Sequence, residues 1–178
     1  MQLYKSMLFL AISGVSTASF AAATETATVP EPAAFVEKAA MSGMAEVELG
    51  RLALMKSRDA NVREFAQRMV ADHTKANQEL TTIAKAKGIS PPKSLDSEHQ
   101  SHLRMLRDKS GADFDKAYSE HMKMDHSKAI SLFEGASRSD DTAVAGFAKK
   151  TLPTLKEHKQ LAQKLPADGK EGKKPGGE

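Results

Sequence analysis

The chain has 178 residues, a formal charge of +3, no Trp and no Cys. That length suits one domain with its own hydrophobic core, and the lack of Cys excludes disulfides, thiolate catalysis and thiolate metal sites. The charges are spread along the sequence rather than gathered in a basic patch, so nucleic acid is not an expected partner.

Residues 1–21 read as a secretory signal peptide: Lys5 opens it, an apolar run follows from Met7 to Ile12, and it ends on Ala18-Ser19-Phe20-Ala21. Cleavage before Ala22 fits Ser19 and Ala21 as the small residues that flank such a site, and it lowers the formal charge from +3 to +2 because Lys5 is the one charged residue removed. The apolar run is far short of the roughly 20 residues that a bilayer span needs, and no later segment is apolar enough. The expectation is export to the periplasm without a transmembrane anchor after cleavage. Residues 22–31, rich in Ala, Thr and Pro, read as a flexible lead-in. The folded domain is expected over 32–165.

Helical periodicity then runs through most of the chain. From Ala33 to Ser57 the residues Phe35, Val36, Ala39, Val47, Leu49, Ala53 and Leu54 recur at three- and four-residue spacing. Asp59 is placed to cap a second helix whose stripe of Val62, Ala66, Met69, Val70, Leu80 and Ala84 ends at Gly88. Pro91-Pro92 cannot continue a helix, so Ile89 to Leu95 reads as a connection, followed by a short helix from Asp96 to Lys109. Ala112 to Ser137 repeats the helical period through Phe114, Tyr118, Met122, Ala129, Ile130 and Phe133. Asp140 or Asp141 can cap a last helix reaching Leu165, with a bend at Pro153 on its polar side. After Pro166 no apolar stripe remains, and residues 166–178 read as a disordered tail. The fold class is therefore all-α. Two hairpins joined by a long connection describe a ferritin-like, up-and-down four-helix bundle with a short extra helix in the crossover, and its second and third long helices run parallel.

Four polar residues fall on the stripes that should be buried. Glu46 lies between Ala39, Leu49 and Ala53, His73 between Met69 and Leu80, His126 between Met122 and Phe133, and His158 between Leu155 and Leu161. At about 1.5 Å per residue from the turn-side ends, Glu46, His73 and His126 lie roughly 18 to 22 Å along their helices, with His158 about 10 Å further. A carboxylate and two or three imidazoles at one level are a candidate site for Fe, Zn or Cu. The alternative is a metal-free Glu–His network that fixes helix register. In that network Glu46→Gln costs a charge-assisted hydrogen bond worth about 1.5–3 kcal/mol. Each of the three histidines follows an acid (Asp72, Asp125 and Glu157), expected at the rim and paired with a cation on the next helix. His121, Met122 and Met124 offer soft imidazole and thioether ligands that can suit copper, but Met122 falls on the core stripe and Met124 faces away from it, so packing is the better reading; His99 and His102, with Asp96 one turn before, read as solvated residues, with a surface metal contact the alternative. No phosphate-binding Gly loop, Gly-x-Ser-x-Gly elbow or His-Glu-x-x-His helix occurs, so the reading leans away from an enzyme.

The stretches Ala45-Glu46-Val47-Glu48-Leu49-Gly50, Phe65 to His73 and Thr151 to His158 together resemble an exported bacterial family catalogued as domain of unknown function 4142. The resemblance covers most of Phe35 to Leu165, and it implies a ferritin-like fold and export but no reaction. Members are often labelled outer membrane proteins, yet this chain lacks the alternating strands of a barrel, so the expected place is the soluble periplasm, with association to the outer membrane a further reading. An envelope protein partner and homo-oligomers are the interactions expected. Ferritin-like di-iron enzymes use Glu-x-x-His, which this sequence does not contain.

Overall fold

A computed structural model describes residues 28–166. The segments read as a signal peptide, as most of the lead-in and as nearly all of the tail lie outside the described residues. Within them the chain is all-α: α1 (Pro32–Lys56), α2 (Ala60–Ala86), α3 (Ser97–Arg107), α4 (Gly111–Ala136) and α5 (Thr142–Ala162), with no strand among the described residues.

Local chemistry sets the helix ends. Pro32 opens α1, where its missing N–H and fixed φ cost nothing. Asp59 accepts from the N–H groups of Asn61 and Val62 at 2.9 and 3.0 Å and caps α2. Asp96 accepts from His99 at 2.9 Å to cap α3, and Asp141, rather than Asp140, caps α5 through Ala143 and Val144. α2 closes on Gly88, whose φ of 68° suits glycine, while the Ile89 N–H reaches back to the Ala84 carbonyl at 2.9 Å. α5 is continuous through Pro153, which stands on an exposed position.

Two apolar clusters hold the long helices together. One gathers the last turns of α1 (Leu49, Leu52, Ala53), the first half of α2 (Val62, Phe65, Met69), the start of α4 (Phe114, Tyr118, Met122) and the end of α5 (Ala162). The other gathers the opposite ends: Phe35 and Ala39 of α1, Leu80 and Ala84 of α2, Phe133 and Ala136 of α4, and Val144, Phe147 and Leu155 of α5. From these memberships α2 and α4 run parallel, and α1 and α5 run against them. The connection through α3 therefore crosses the length of the molecule, and Leu106 at its far end is the one α3 residue that is buried.

The α1–α2 hairpin is packed closely because α1 presents Gly43 and Gly50 to α2. A Cβ on Gly43 would stand 2.0 Å from Oδ1 of Asn77, the end of a flexible side chain. One on Gly50 would stand 2.9 Å from Val70 and 3.1 Å from the main-chain oxygen of Ala66, which cannot swing away. Alanine gains about 1 kcal/mol of helix propensity over glycine, while overpacking costs about 1–3 kcal/mol. Gly50→Ala should therefore lower the melting temperature, and Gly43→Ala should leave it unchanged or raise it; circular dichroism melts of the two variants check the ranking.

Candidate metal centre

Between the two apolar clusters lies a polar layer, to which each long helix contributes one side chain. On α1 the layer falls between Ala40 and Leu49, on α2 between Met69 and Leu80, on α4 between Met122 and Phe133, and on α5 between Leu155 and Ala162. Those intervals contain Glu46, His73, His126 and His158, which retain 2, 8, 1 and 1% of their accessible surface. His158 is thus level with the others, not about 10 Å beyond them as residue counting suggested. The two hairpin turns lie at opposite ends of the molecule, so counts taken from them share no origin. Packing of Leu155 into one cluster and Ala162 into the other fixes the true height of His158.

The three imidazoles form a triangle. Ring centres are 5.8 Å apart for His73 and His126, 5.4 Å for His73 and His158, and 5.4 Å for His126 and His158. One ring nitrogen from each lies within 4.8 Å of those of the other two. Hydrogen bonds define which nitrogens are free. Nδ1–H of His126 donates to the Met122 carbonyl at 2.9 Å, leaving Nε2 buried without a partner. Nε2–H of His158 donates to the Asp72 carboxylate at 2.9 Å, leaving Nδ1 buried without a partner. Nε2 of His73 is the third buried nitrogen without one.

Burial keeps these rings neutral. It lowers the pKa of His73 to about 3, with His126 and His158 adding repulsion, and that of His126 to about 4 against the opposing bond to Met122. His158 is lowered as well, again by burial, with Asp72 opposing. At neutral pH the free Nε2 of His126 and the free Nδ1 of His158 therefore each carry a lone pair in place of a proton, and the His73 ring is neutral.

Glu46 stands apart from the triangle. Its Oε1 faces Nδ1 of His126 at 3.7 Å, beyond hydrogen-bond reach, and its Oε2 has no partner. Burial, and then the nearby Asp125 carboxylate, raise its pKa well above the ordinary 4.5. The carboxyl group is a neighbour of His126 and not a fourth corner beside the three nitrogens.

Of the acids that precede the histidines, Glu157 pairs with a cation on the next helix, Arg68, at 2.5 Å. Asp72 instead holds His158, and Asp125 lies 2.8 Å from Nε2 of His121. Sequence reasoning treated His121 as part of the packing and His102 as solvated. The structure buries His121 with its ring centre 5.0 Å from that of His102. The readable signal was the four-residue spacing of His121 and Asp125, which puts both on one helix face. Met122 is buried and Met124 exposed.

A family model described as "Domain of unknown function (DUF4142)" matches residues 17–165. No curated protein matches the chain. Among solved structures, the crystal structure of a DUF305 fragment from Deinococcus radiodurans superposes with a TM-score of 0.68 at 14% identity, covering 77% of this chain and 95% of that one. At that identity the likeness is one of fold.

The raised pKa of Glu46 means that the folded chain holds this proton more tightly than the unfolded chain does. Its contribution is therefore present below about pH 4.5 and lost as the pH rises through the folded value. In the metal-free protein Glu46→Gln should accordingly raise the melting temperature at pH 8, with the gain vanishing below pH 4.5. This reverses the loss expected for a Glu–His network. A pH series of paired thermal melts checks it, and a variant that melts lower at pH 8 would show Glu46 to be a partnered carboxylate.

Proposed function

The chain belongs to the family of domain of unknown function 4142, and we propose that it is an exported, ferritin-like helical protein that binds one transition-metal ion through His73, His126 and His158. The observation that carries this reading is the convergence of three imidazoles whose free nitrogens are buried without partners. A buried acceptor with no donor costs about 1–3 kcal/mol. An ion placed among the three converts that cost into coordination.

The geometry supports the same reading. Two imidazoles bound to one ion through bonds of about 2.0–2.1 Å hold their ring centres roughly 5 to 5.5 Å apart, and the three separations here are 5.4, 5.4 and 5.8 Å. The Asp72–His158 bond is the carboxylate–histidine arrangement that fixes a ligand's tautomer and raises its basicity. Three neutral nitrogens suit Zn, Cu or Fe. Glu46 would stand beside the ligand His126, its carboxyl group pushed by burial toward the protonated form. With one carboxyl group at this level and no Glu-x-x-His, the arrangement favours holding a single ion over di-iron chemistry.

The fold assignment rests on the contact pattern, in which α1 packs on α2 and α4, α5 packs on α4 and α2, and α3 crosses between the hairpins. Export to the periplasm rests on the character of residues 1–21. No helix among the described residues is long and apolar enough to cross a membrane.

Elemental analysis of chelator-stripped protein exposed in turn to Zn, Cu and Fe salts should find a tightly held ion that His73→Ala and His158→Ala both lose. Asp72→Asn should keep it with about 10- to 100-fold lower affinity. Saturation at about 100 times Kd should stabilise the fold by about 2.7 kcal/mol. If no ion is retained by the parent chain, and its melting point is indifferent to all three metals, the helical module serves as an interaction or structural element of the envelope instead.

A further inference from the structure

Away from the polar layer, the described residues form a cleft of about 640 Å³ on the side of the α1–α2 hairpin. One wall is α1 between Met44 and Arg51, a second is α2 between Thr74 and Lys85, and the crossover connection supplies the third through Lys93, Ser94 and Leu95. A cleft of that size suits a small molecule.

The third wall is held in place by its own contacts. Pro91 and Pro92 restrict the backbone just before it. Beyond it, the Asp96 N–H donates to Sδ of Met41 on α1 at 3.4 Å, and the Leu95 carbonyl accepts from Nε2 of Gln100 at 2.7 Å. The side chains of this wall are therefore positioned before a ligand arrives, which lowers the ordering cost of binding.

The lining divides by chemistry. Val47 is buried and Met44 and Leu95 are half-buried, one apolar side chain or more from each helix–connection side of the cleft. Lys85 and Lys93 are exposed, one on α2 and one on the connection, and neither makes an ion pair or a hydrogen bond with another described residue. The one carboxylate in the lining, Glu48, is already paired with Arg51 at 3.0 Å. Lys85, Lys93 and Arg51 against Glu48 leave the lining with a formal charge of +2. No aromatic side chain lines the cleft, so a nucleobase would find no surface on which to stack. Two unpaired cations beside aliphatic surface are complementary to a negative charge carried on an aliphatic body.

We propose that this cleft binds a small amphiphilic anion, its charged head between Lys85 and Lys93 and its aliphatic body on Met44, Val47 and Leu95. The site is independent of the histidine triangle and of any metal held there.

Isothermal titration of octanoate into the full-length protein should show one site per chain. The double variant Lys85→Ala/Lys93→Ala, altered at two exposed positions, should keep its helical circular dichroism and bind octanoate about tenfold more weakly. Removing the same charge at two exposed positions outside the cleft, Lys116→Ala/Lys149→Ala, should leave the affinity unchanged. Acetate, which has the head without the body, and 1-octanol, which has the body without the charge, should both bind more weakly than octanoate. The proposal is overturned if octanoate does not bind, if the two double variants bind it equally well, or if 1-octanol matches it. Capture of the chain by phosphatidylglycerol vesicles without binding of free octanoate would also overturn it, because the two lysines would then serve a membrane contact instead of a small-molecule site.

Discussion

Four buried polar side chains set the terms on which the long helices meet. Glu46, His73, His126 and His158 sit between two apolar clusters, and each must be neutral or partnered to remain there. The imidazoles meet the condition by giving up protons, and burial pushes the carboxyl group toward keeping one. Two of the rings have their orientation fixed from behind, by the Met122 carbonyl and by Asp72. What is left over is three neutral imidazoles, one nitrogen of each lying within 4.8 Å of those of the other two. Such a core is specified less by apolar volume than by the positions of a few nitrogen atoms, and a shift of one helix by a single turn would move one of them about 5.4 Å out of the layer.

On the proposed reading the same layer would couple binding to folding. An ion entering it would meet three neutral imidazoles, so little proton release would accompany binding above the lowered pKa values of about 3 and 4. The unfolded chain offers the same histidines with ordinary proton affinities and no fixed geometry. An ion bound there would therefore stabilise the native state selectively and turn the centre of the molecule into a clamp across α2, α4 and α5.

Much of the secondary structure was legible because its causes are local. The cap Asp59, the Asp140-Asp141 pair before α5, the glycine closing α2 and the Pro91-Pro92 break are each written within a few residues of where they act, whereas Asp96, read as the first residue of α3, is its cap. Helical phase also identified the four inward polar residues, since phase needs only about 100° per residue. Height was different. Whether His158 reaches the level of His73 depends on how α5 is seated against three other helices, and Leu155 and Ala162 decide that by choosing different clusters. The pairing of His102 with His121 was hidden for the same reason: α3 is short, polar and held by Leu106, and nothing within its own eleven residues says which turn of α4 it will lie against. Glu46 was read as a charged member of a network because its spacing says buried but cannot say that its nearest imidazole has already given its N–H to Met122.

Pro153 stands on the outer side of α5, in the turn before Leu155 and His158. It supplies no N–H, so the helix lacks one rung of its ladder there, and the ring crowds the carbonyl of the turn before. The half of α5 that carries Val144 and Phe147 is anchored in one apolar cluster, while Ala162 is anchored in the other. A helix missing a rung bends at that rung first. Mechanically, α5 is a rod with a built-in compliance one to two turns from His158, so small changes in its curvature would shift that ring. The rings of His73 and His126 ride on helices without an internal proline, so His158 has the most compliant mount of the three.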